Sequence, residues 1–399
     1  MLKGPRKMTS RSDAPPVRTF IAACAIVCAT ILSSAARAAD DKVLSFNSFV
    51  THKSTVPANA GQPVALHLRE RVLESVRRST EAGSKPPVVL FVHGGFSPAT
   101  VAYDLEYKDF SWMEYLARAG FDVFAMTHTA YGFSPKPFMD DPCNVDPKQQ
   151  AILIPHILKA PCAPRYPFKL VSSQTEWDEV ESVVRHIRAL RGVEKISMIG
   201  WSTGTPRIGG FAAKYPEMVD KIVYLAPAPF FENDEPPASF PEPGAPTILQ
   251  TRERLEKERW LADVHCPDQI DDPKIGDVMW KELMAAEGAG ANWIPGGVMR
   301  APNRMNYGWR ANCARIRTPT LVMLGEFDNY ERRRDSWSGL ASTHKVFVKL
   351  RASHFAQYER GRHTVHRLTE AWLRTGKTEG ATAGEFAADW DGRVTPLRD

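Results

Sequence analysis

Residues 195–214 read KISMIGWSTGTPRIGGFAAK. The first six form a short apolar run with strand character, and the stretch from Pro206 to Lys214 has the pattern of a helix. Between them, Gly200-Trp201-Ser202-Thr203-Gly204 matches G-x-S-x-G. A sharp strand-to-helix turn lifts a serine hydroxyl clear of a sheet, and its crowded backbone needs small residues two positions to either side. Gly200 and Gly204 meet that need. Pro206 suits the first turn of a helix, where its missing N–H costs little. Alone, the pattern is a glycine-rich turn; with a strand before it and a helix after it, Ser202 becomes a candidate nucleophile.

Working outward, the same alternation continues. Apolar runs at 87–92 (PVVLFV), 121–126 (FDVFAM), 221–226 (KIVYLA), 318–324 (TPTLVML) and 345–350 (KVFVKL) read as strands. Helical patterns at 109–119, 175–190, 206–214, 335–341 and 361–374 separate or follow them. Near-continuous apolar strands joined by helices predict a mostly parallel sheet with helices on both faces. Residues 43–50 and 63–69 are expected to add antiparallel edge strands. Two stretches break the rhythm, a proline-rich one at 134–173 and a long one at 227–315. Connections of that length carry function or structure of their own. The expected organisation is a core of 39–229 and 316–375, a cap or lid insertion at 230–315, and a polar, loosely packed tail at 376–399.

This order of elements resembles the α/β-hydrolase superfamily over about residues 85–375, in its capped, serine esterase- or lipase-like branch. The resemblance implies an eight-stranded sheet with the nucleophile after strand five, an acid after strand seven and a histidine after strand eight. A serine hydroxyl needs a base within hydrogen-bonding reach. Of the eleven histidines, His354 alone stands just beyond the 345–350 strand and before the last helix. His344 precedes that strand, and His363 and His366 fall within the helix. The imidazole in turn needs a carboxylate on its Nδ1 side. Asp328, in Gly325-Glu326-Phe327-Asp328, occupies the superfamily's acid position, with Glu326 as its competitor. The catalytic set so read is Ser202, Asp328 and His354, in the chain order of this fold.

A tetrahedral intermediate needs two donors aimed at its oxygen. The backbone N–H of Thr203 is one; the resemblance points to Gly95, in His93-Gly94-Gly95-Phe96, as the other, with Phe96 as the neighbour that could replace it. His93 is read as a structural residue of that turn. Many relatives carry D-x-R-G-x-G-x-S at the end of strand four, where this chain has Thr127-His128-Thr129-Ala130-Tyr131-Gly132-Phe133-Ser134. That departure spares the catalytic set but not the loop contacts of any particular relative.

The N-terminus reads differently from the rest. Lys3, Arg6, Lys7, Arg11 and Arg18 precede an apolar run from Phe20 to Leu32, followed by Ala36-Arg37-Ala38. That is the order of a secretory signal peptide, expected over 1–38, and it implies a periplasmic or secreted protein. Of the 51 basic and 46 acidic residues, the first 38 hold six and one, so the net charge of +5 belongs to the signal. The neutral remainder argues against a nucleic-acid partner, and no stretch reaches the length of a membrane span. Beyond the signal remain Cys143, Cys162, Cys266 and Cys313, an even count that suggests two disulfides in an oxidising compartment; of the three possible pairings, spacing favours Cys143–Cys162 with Cys266–Cys313. Zinc-ligand spacing, dinucleotide fingerprint and Walker loop are missing, so no metal and no cofactor is expected.

The expected activity is hydrolysis of a carboxylic ester or related acyl bond on a small-molecule substrate. A lactonase, a serine peptidase or amidase, a perhydrolase or a C–C bond hydrolase would be compatible with the same residues. A haloalkane dehalogenase or epoxide hydrolase would need Asp at 202. A binding protein that keeps the scaffold is the non-enzymatic alternative. Trp201 and the aromatic and methionine residues of 230–315 are expected to line an apolar pocket, with Arg300, Arg304 or Arg310 near its entrance.

Overall fold

In the computed structural model, which describes residues 1, 2, 4 and 41–397, a ten-stranded mixed sheet carries the molecule. Its strands are β1 (Val43–Lys53), β2 (Pro63–Leu73), β3 (Val88–Val92), β4 (Asp122–Met126), β5 (Ile196–Trp201), β6 (Val219–Leu225), β7 (Thr320–Gly325), β8 (Lys345–Leu350), β9 (Gly384–Ala388) and β10 (Val394–Pro396). Their order across the sheet is β1-β2-β4-β3-β5-β6-β7-β8-β9-β10. From β4 to β9 every pairing is parallel, while β1 with β2, β2 with β4 and β9 with β10 are antiparallel. The expected signal segment lies outside the described residues, apart from 1, 2 and 4. Val43–Asp399 forms one compact unit.

Alternation along the strands sorts side chains onto two faces. Val89, Phe91, Val123, Ile199, Val223, Leu321 and Met323 pack on one face, while Leu90, Phe124, Met198, Ile222, Tyr224, Val322 and Phe347 pack on the other. Helices α1 (Trp112–Arg118) and α6 (Arg362–Thr375) cover the first face through Trp112, Leu368 and Trp372. Helices α2 (Ser173–Arg191), α3 (Gly204–Lys214) and α5 (Tyr330–Gly339) cover the second. Local signals set their limits: Ser172 and Thr175 make a reciprocal capping box at the start of α2, and Gly192 closes it in the left-handed conformation.

The 230–315 insertion contains α4 (Ile275–Glu287) and a two-stranded antiparallel ribbon, Thr247–Gln250 with Met299–Pro302. Its Leu255, Trp260, Met279 and Leu283 merge into the first core face rather than forming a core of their own. Among the described residues no helix is long and apolar enough to cross a membrane.

Three expectations are corrected. The 376–399 stretch is not a loose tail through its length, and the sheet has ten strands rather than eight, because β9 lies parallel against β8 and β10 closes the edge. Ala388 is buried there and Phe386 and Val394 pack on the core, but strands of five and three residues are too short to show periodicity. The Cys143–Cys162 disulfide is formed, whereas Cys266 and Cys313 are free thiols. Cys313 packs on the second face near Ser336 and Gly339. Cys266 belongs to a turn that Gln269 ties to Glu359 beside Trp260, on the first face. The sheet separates them, and nearness in sequence could not reveal that.

Candidate active site

At the end of β5 the chain turns so sharply that Ser202 takes φ 55°, a left-handed conformation costly for a non-glycine residue. The close approach explains the flanking glycines. A Cβ at Gly204 would come within 2.1 Å of the Val92 carbonyl oxygen, and one at Gly200 within 2.9 Å of the Gly204 oxygen. The turn's backbone is satisfied on both sides. Ser202 N–H donates to the Leu225 carbonyl at 3.1 Å, and Trp201 N–H donates to the Tyr103 hydroxyl at 3.0 Å. Tyr103 donates onward to the Val92 carbonyl at 2.7 Å, tying β5 to β3 above the sheet.

His354 follows β8, as expected, and its Nδ1 lies 2.7 Å from Asp328 Oδ2. Both residues are buried. The other Asp328 oxygen is 2.7 Å from Nε of Arg333, on α5; this contact is an ion pair rather than a directed hydrogen bond. Burial lowers the His354 pKa below 6.5; Asp328 opposes the shift, and Arg333 and Arg259 add to it. Glu326 turns to Arg351 at 2.9 Å, leaving Asp328 alone against the imidazole. The other histidines are engaged elsewhere: His344 Nε2 bonds the Gly376 carbonyl, and His366 is buried between Trp112 and Tyr115.

The loop carrying His354 is held from two sides. Trp201 donates its indole N–H to the His354 carbonyl at 2.9 Å. Glu359, buried, accepts from Ser353 N–H, Gln269 Nε2 and Trp260 Nε1, each at 3.0 Å. Two of those donors belong to the insertion, so one carboxylate couples it to the histidine loop.

Beneath Gly94 and Gly95 lies a buried polar network. His128 N–H donates to His93 Nε2 at 3.1 Å, so the ring proton sits on Nδ1, which donates to the Gly94 carbonyl at 2.7 Å. Arg207 on α3 donates to the His93 carbonyl at 2.5 Å and the Gly94 carbonyl at 3.2 Å. Its other end meets Glu176 at 2.6 Å, which also receives Arg304. Burial works against the Glu176 charge, yet the two guanidinium groups hold its pKa below the ordinary range. His128 pairs with Glu179 at 2.7 Å, and burial pushes Glu179 up to about 8.

Ser202 and His354 open onto one cavity of about 130 Å³, together with Gly95, Phe96 and Thr203. Its walls are mainly apolar: Trp201, Ile248, Leu255, Met279, Leu283, Phe355 and Tyr358. Of the insertion's aromatic and methionine residues named from sequence, Met279 alone lines it. Trp260 stacks behind Phe355, Trp280 donates to the Gly296 carbonyl and Trp309 packs beneath α3 and α5. Arg304 reaches the wall; Arg300 is buried against Glu287, and Arg310 lies over Phe230. Among the described residues no group of three or more His, Cys, Asp or Glu side chains is placed to hold a metal.

Residues 87–263 match the family model described as the alpha/beta hydrolase fold. The chain has the alpha/beta hydrolase fold. Solved structures similar to this hydrolase include the thioesterase domain of the curacin biosynthetic pathway, at 13% identity and a TM-score of 0.48, covering 83% of this chain and 100% of that one. The 2-hydroxy-6-oxo-6-phenylhexa-2,4-dienoate hydrolase of Rhodococcus sp. strain RHA1 is similar at 16% identity, 83% and 99% coverage and TM-score 0.45. The enol-lactonase of Burkholderia xenovorans LB400 is similar at 13%, 78% and 97%, and 0.47. No curated protein sequence matches this hydrolase.

Reasoning from sequence did not find Tyr103, Glu176, Arg207, Arg259 or Glu359. Arg207 left a signal: it is one of only two charged residues on α3, and the other, Lys214, ends that helix. The rest are ordinary polar residues until the fold surrounds them.

Proposed function

We propose that the protein is an exported serine hydrolase that cleaves a carboxylic ester or a related acyl bond through a covalent acyl-Ser202 intermediate. The supporting observation is Ser202, at φ 55° on the β5 turn, sharing a cavity with His354, whose Nδ1 lies 2.7 Å from Asp328. With the Nδ1 proton donated to Asp328, the Nε2 lone pair is free to act as base. His354 takes the hydroxyl proton as Ser202 Oγ bonds the carbonyl carbon, and the carbonyl electron pair moves to oxygen. Collapse of this intermediate expels the alkoxide, which takes the proton from His354 and leaves as alcohol. Water then repeats the sequence on the acyl-enzyme, releasing the acid and restoring Ser202.

The negative oxygen falls to the N–H groups of Gly95 and Thr203. A trans peptide directs its carbonyl and N–H to opposite sides. The Gly94 carbonyl is held by His93 and Arg207, so the Gly95 N–H faces away from them. Two donors on that carbonyl also polarise the same peptide and strengthen its N–H. Thr203 stands at the N-terminus of α3, where unpaired N–H groups and the helix dipole favour negative charge.

The 230–315 insertion serves as a cap that closes one wall of the cavity. Export is supported by the signal pattern of 1–38 and by the Cys143–Cys162 bond. The test is a fluorophosphonate probe followed by a panel of esters, lactones, thioesters and amides. The expected result is labelling of Ser202 and preferred turnover of esters; an unlabelled, inactive protein would overturn the reading.

A further inference from the structure

The cavity lining includes two arginines, Arg259 and Arg304. Arg259 lies in the insertion's Arg254–Trp260 turn, and among the described residues no carboxylate oxygen comes within 4.0 Å of it. Among the described residues its one partner is the ring of Phe96, 5.7 Å from the guanidinium carbon. Arg259 is exposed to solvent; partial desolvation by the surrounding protein lowers its pKa, and Arg333 and Arg254 add to that effect. Asp328 is the carboxylate whose field reaches it, and both Asp328 oxygens are taken, by His354 and Arg333.

Arg304 does not supply the missing negative charge. It shares Glu176 with Arg207, so two guanidinium groups face one carboxylate and a positive charge is left over. Its Nε is buried and has no hydrogen-bond partner. Glu179, raised to about 8, and the buried imidazole of His128 hold one proton between them at neutral pH and contribute no net charge. The cavity beside Ser202 is thus a mainly apolar pocket whose lining carries surplus positive charge. In the empty pocket water compensates the exposed Arg259, and an anionic ligand takes that water's place through a charge-assisted pair.

We propose that this cavity receives an acyl compound bearing a second, ionised carboxylate, and that the Arg259 guanidinium holds that carboxylate. The proposal rests on the serine-hydrolase reading of Ser202. A carboxylate matches the planar guanidinium fork in two parallel hydrogen bonds. It carries a single charge, so it is cheaper to bring among apolar walls than a phosphate dianion. The substrate class is therefore a monoester of a dicarboxylic acid, its scissile carbonyl at Ser202 and its free carboxylate at Arg259.

The test compares 4-nitrophenyl hydrogen adipate with its isosteric carboxamide, 4-nitrophenyl adipamate, after subtraction of uncatalysed hydrolysis. The expected wild-type kcat/KM favours the carboxylate by about tenfold or more, and Arg259→Gln lowers that ratio by about tenfold, mainly through KM. Arg259→Lys should recover part of it, since the charge stays but the fork is lost. Because both substrates are read in the same protein, a loss common to both cancels in the ratio. Adipate itself should inhibit the wild-type enzyme, and Arg259→Gln should weaken that inhibition by a similar factor. A wild-type ratio at or below one, or a ratio that Arg259→Gln leaves unchanged, would overturn the carboxylate site while Ser202 labelling kept the hydrolase reading standing. Failure of both substrates together with failure of fluorophosphonate labelling would overturn the hydrolase reading and this proposal with it.

Discussion

The strand ends and the 230–315 insertion both border the cavity, but they aim their side chains by different means. At the strand ends the backbone does the aiming. Ser202 is fixed by its own left-handed turn, and Asp328 and His354 sit three and four residues beyond parallel neighbours that share one register. In the insertion the aiming comes from packing: Leu255, Met279 and Leu283 face the cavity because Trp260 and Ile275 seat their elements on the core. Backbone aiming needs few residues and survives wide change in the surroundings. Packing depends on every neighbour, so recognition varies where chemistry does not.

The largest expected effect strikes the strand ends. Ser202→Ala should lower kcat by about 10⁴-fold or more while leaving the thermal unfolding curve in place. His354→Ala should be comparably severe. Activity within about tenfold of the parent would leave the strand ends without the chemistry proposed for them.

Asp328→Asn should cost about 10³-fold in kcat, and Glu326→Gln less than about threefold. The reason is the contact of Asp328 with Nδ1 of His354 and the diversion of Glu326 to Arg351. If the two variants rank the other way in steady-state kinetics, the acid has been misassigned.

A third measurement probes the proline-rich excursion. The Cys143–Cys162 bond spans 19 residues, so replacing both with Ser should lower stability by about 3 kcal/mol in denaturant titration. No comparable loss is expected for Cys266→Ser. In the native protein a thiol reagent should modify Cys266 well before Cys313, which is buried with its thiol pKa pushed up. Equal reactivity would contradict the burial of Cys313 beneath the second face.

The smallest effects are those of pH. As the proposed base His354 must be neutral, and its pKa is lowered by burial, so activity should rise through a limb below pH 6.5 and be full above it. Arg333→Gln removes a charge that lowers this pKa, and the limb should move upward by a fraction of a unit; movement downward would refute the electrostatic assignment. Stability should follow the same direction. Burial lowers His67 to about 4 and His366 to about 3, so below pH 6.5 the unfolded chain binds protons that the folded chain refuses. Their stabilising contribution is therefore complete above pH 6.5 and is lost as pH falls towards 4 and 3, which denaturation across that range would show.

The sheet was legible because its signal is local and repeated. All eight strands and four of the five helices read from sequence appear within a few residues of their expected limits, since apolar runs and capping residues act over short distances; α5 begins five residues before its expected start. The short β9 and β10 were not legible, having too few residues for a period to show. Cys143 and Cys162 do pair; Cys266 and Cys313 do not, because their separation depends on which face each element reaches. The insertion's aromatic residues were the poorest guide. A buried Trp reads alike in sequence whether it lines a cavity or stands behind the wall, as Trp260 does behind Phe355.

By itself, then, the order of elements determined the fold and the turn that exposes Ser202, because hydrophobic periodicity and a crowded glycine-flanked turn are written in neighbouring residues. Tertiary structure alone decided the company those residues keep. It set Glu176 between Arg207 and Arg304, tied Glu359 to Trp260, and left Arg259 on the cavity wall with no acidic partner among the described residues. Charge compensation in a protein interior depends on distances of a few ångströms between segments far apart in the chain, and no local pattern encodes those distances.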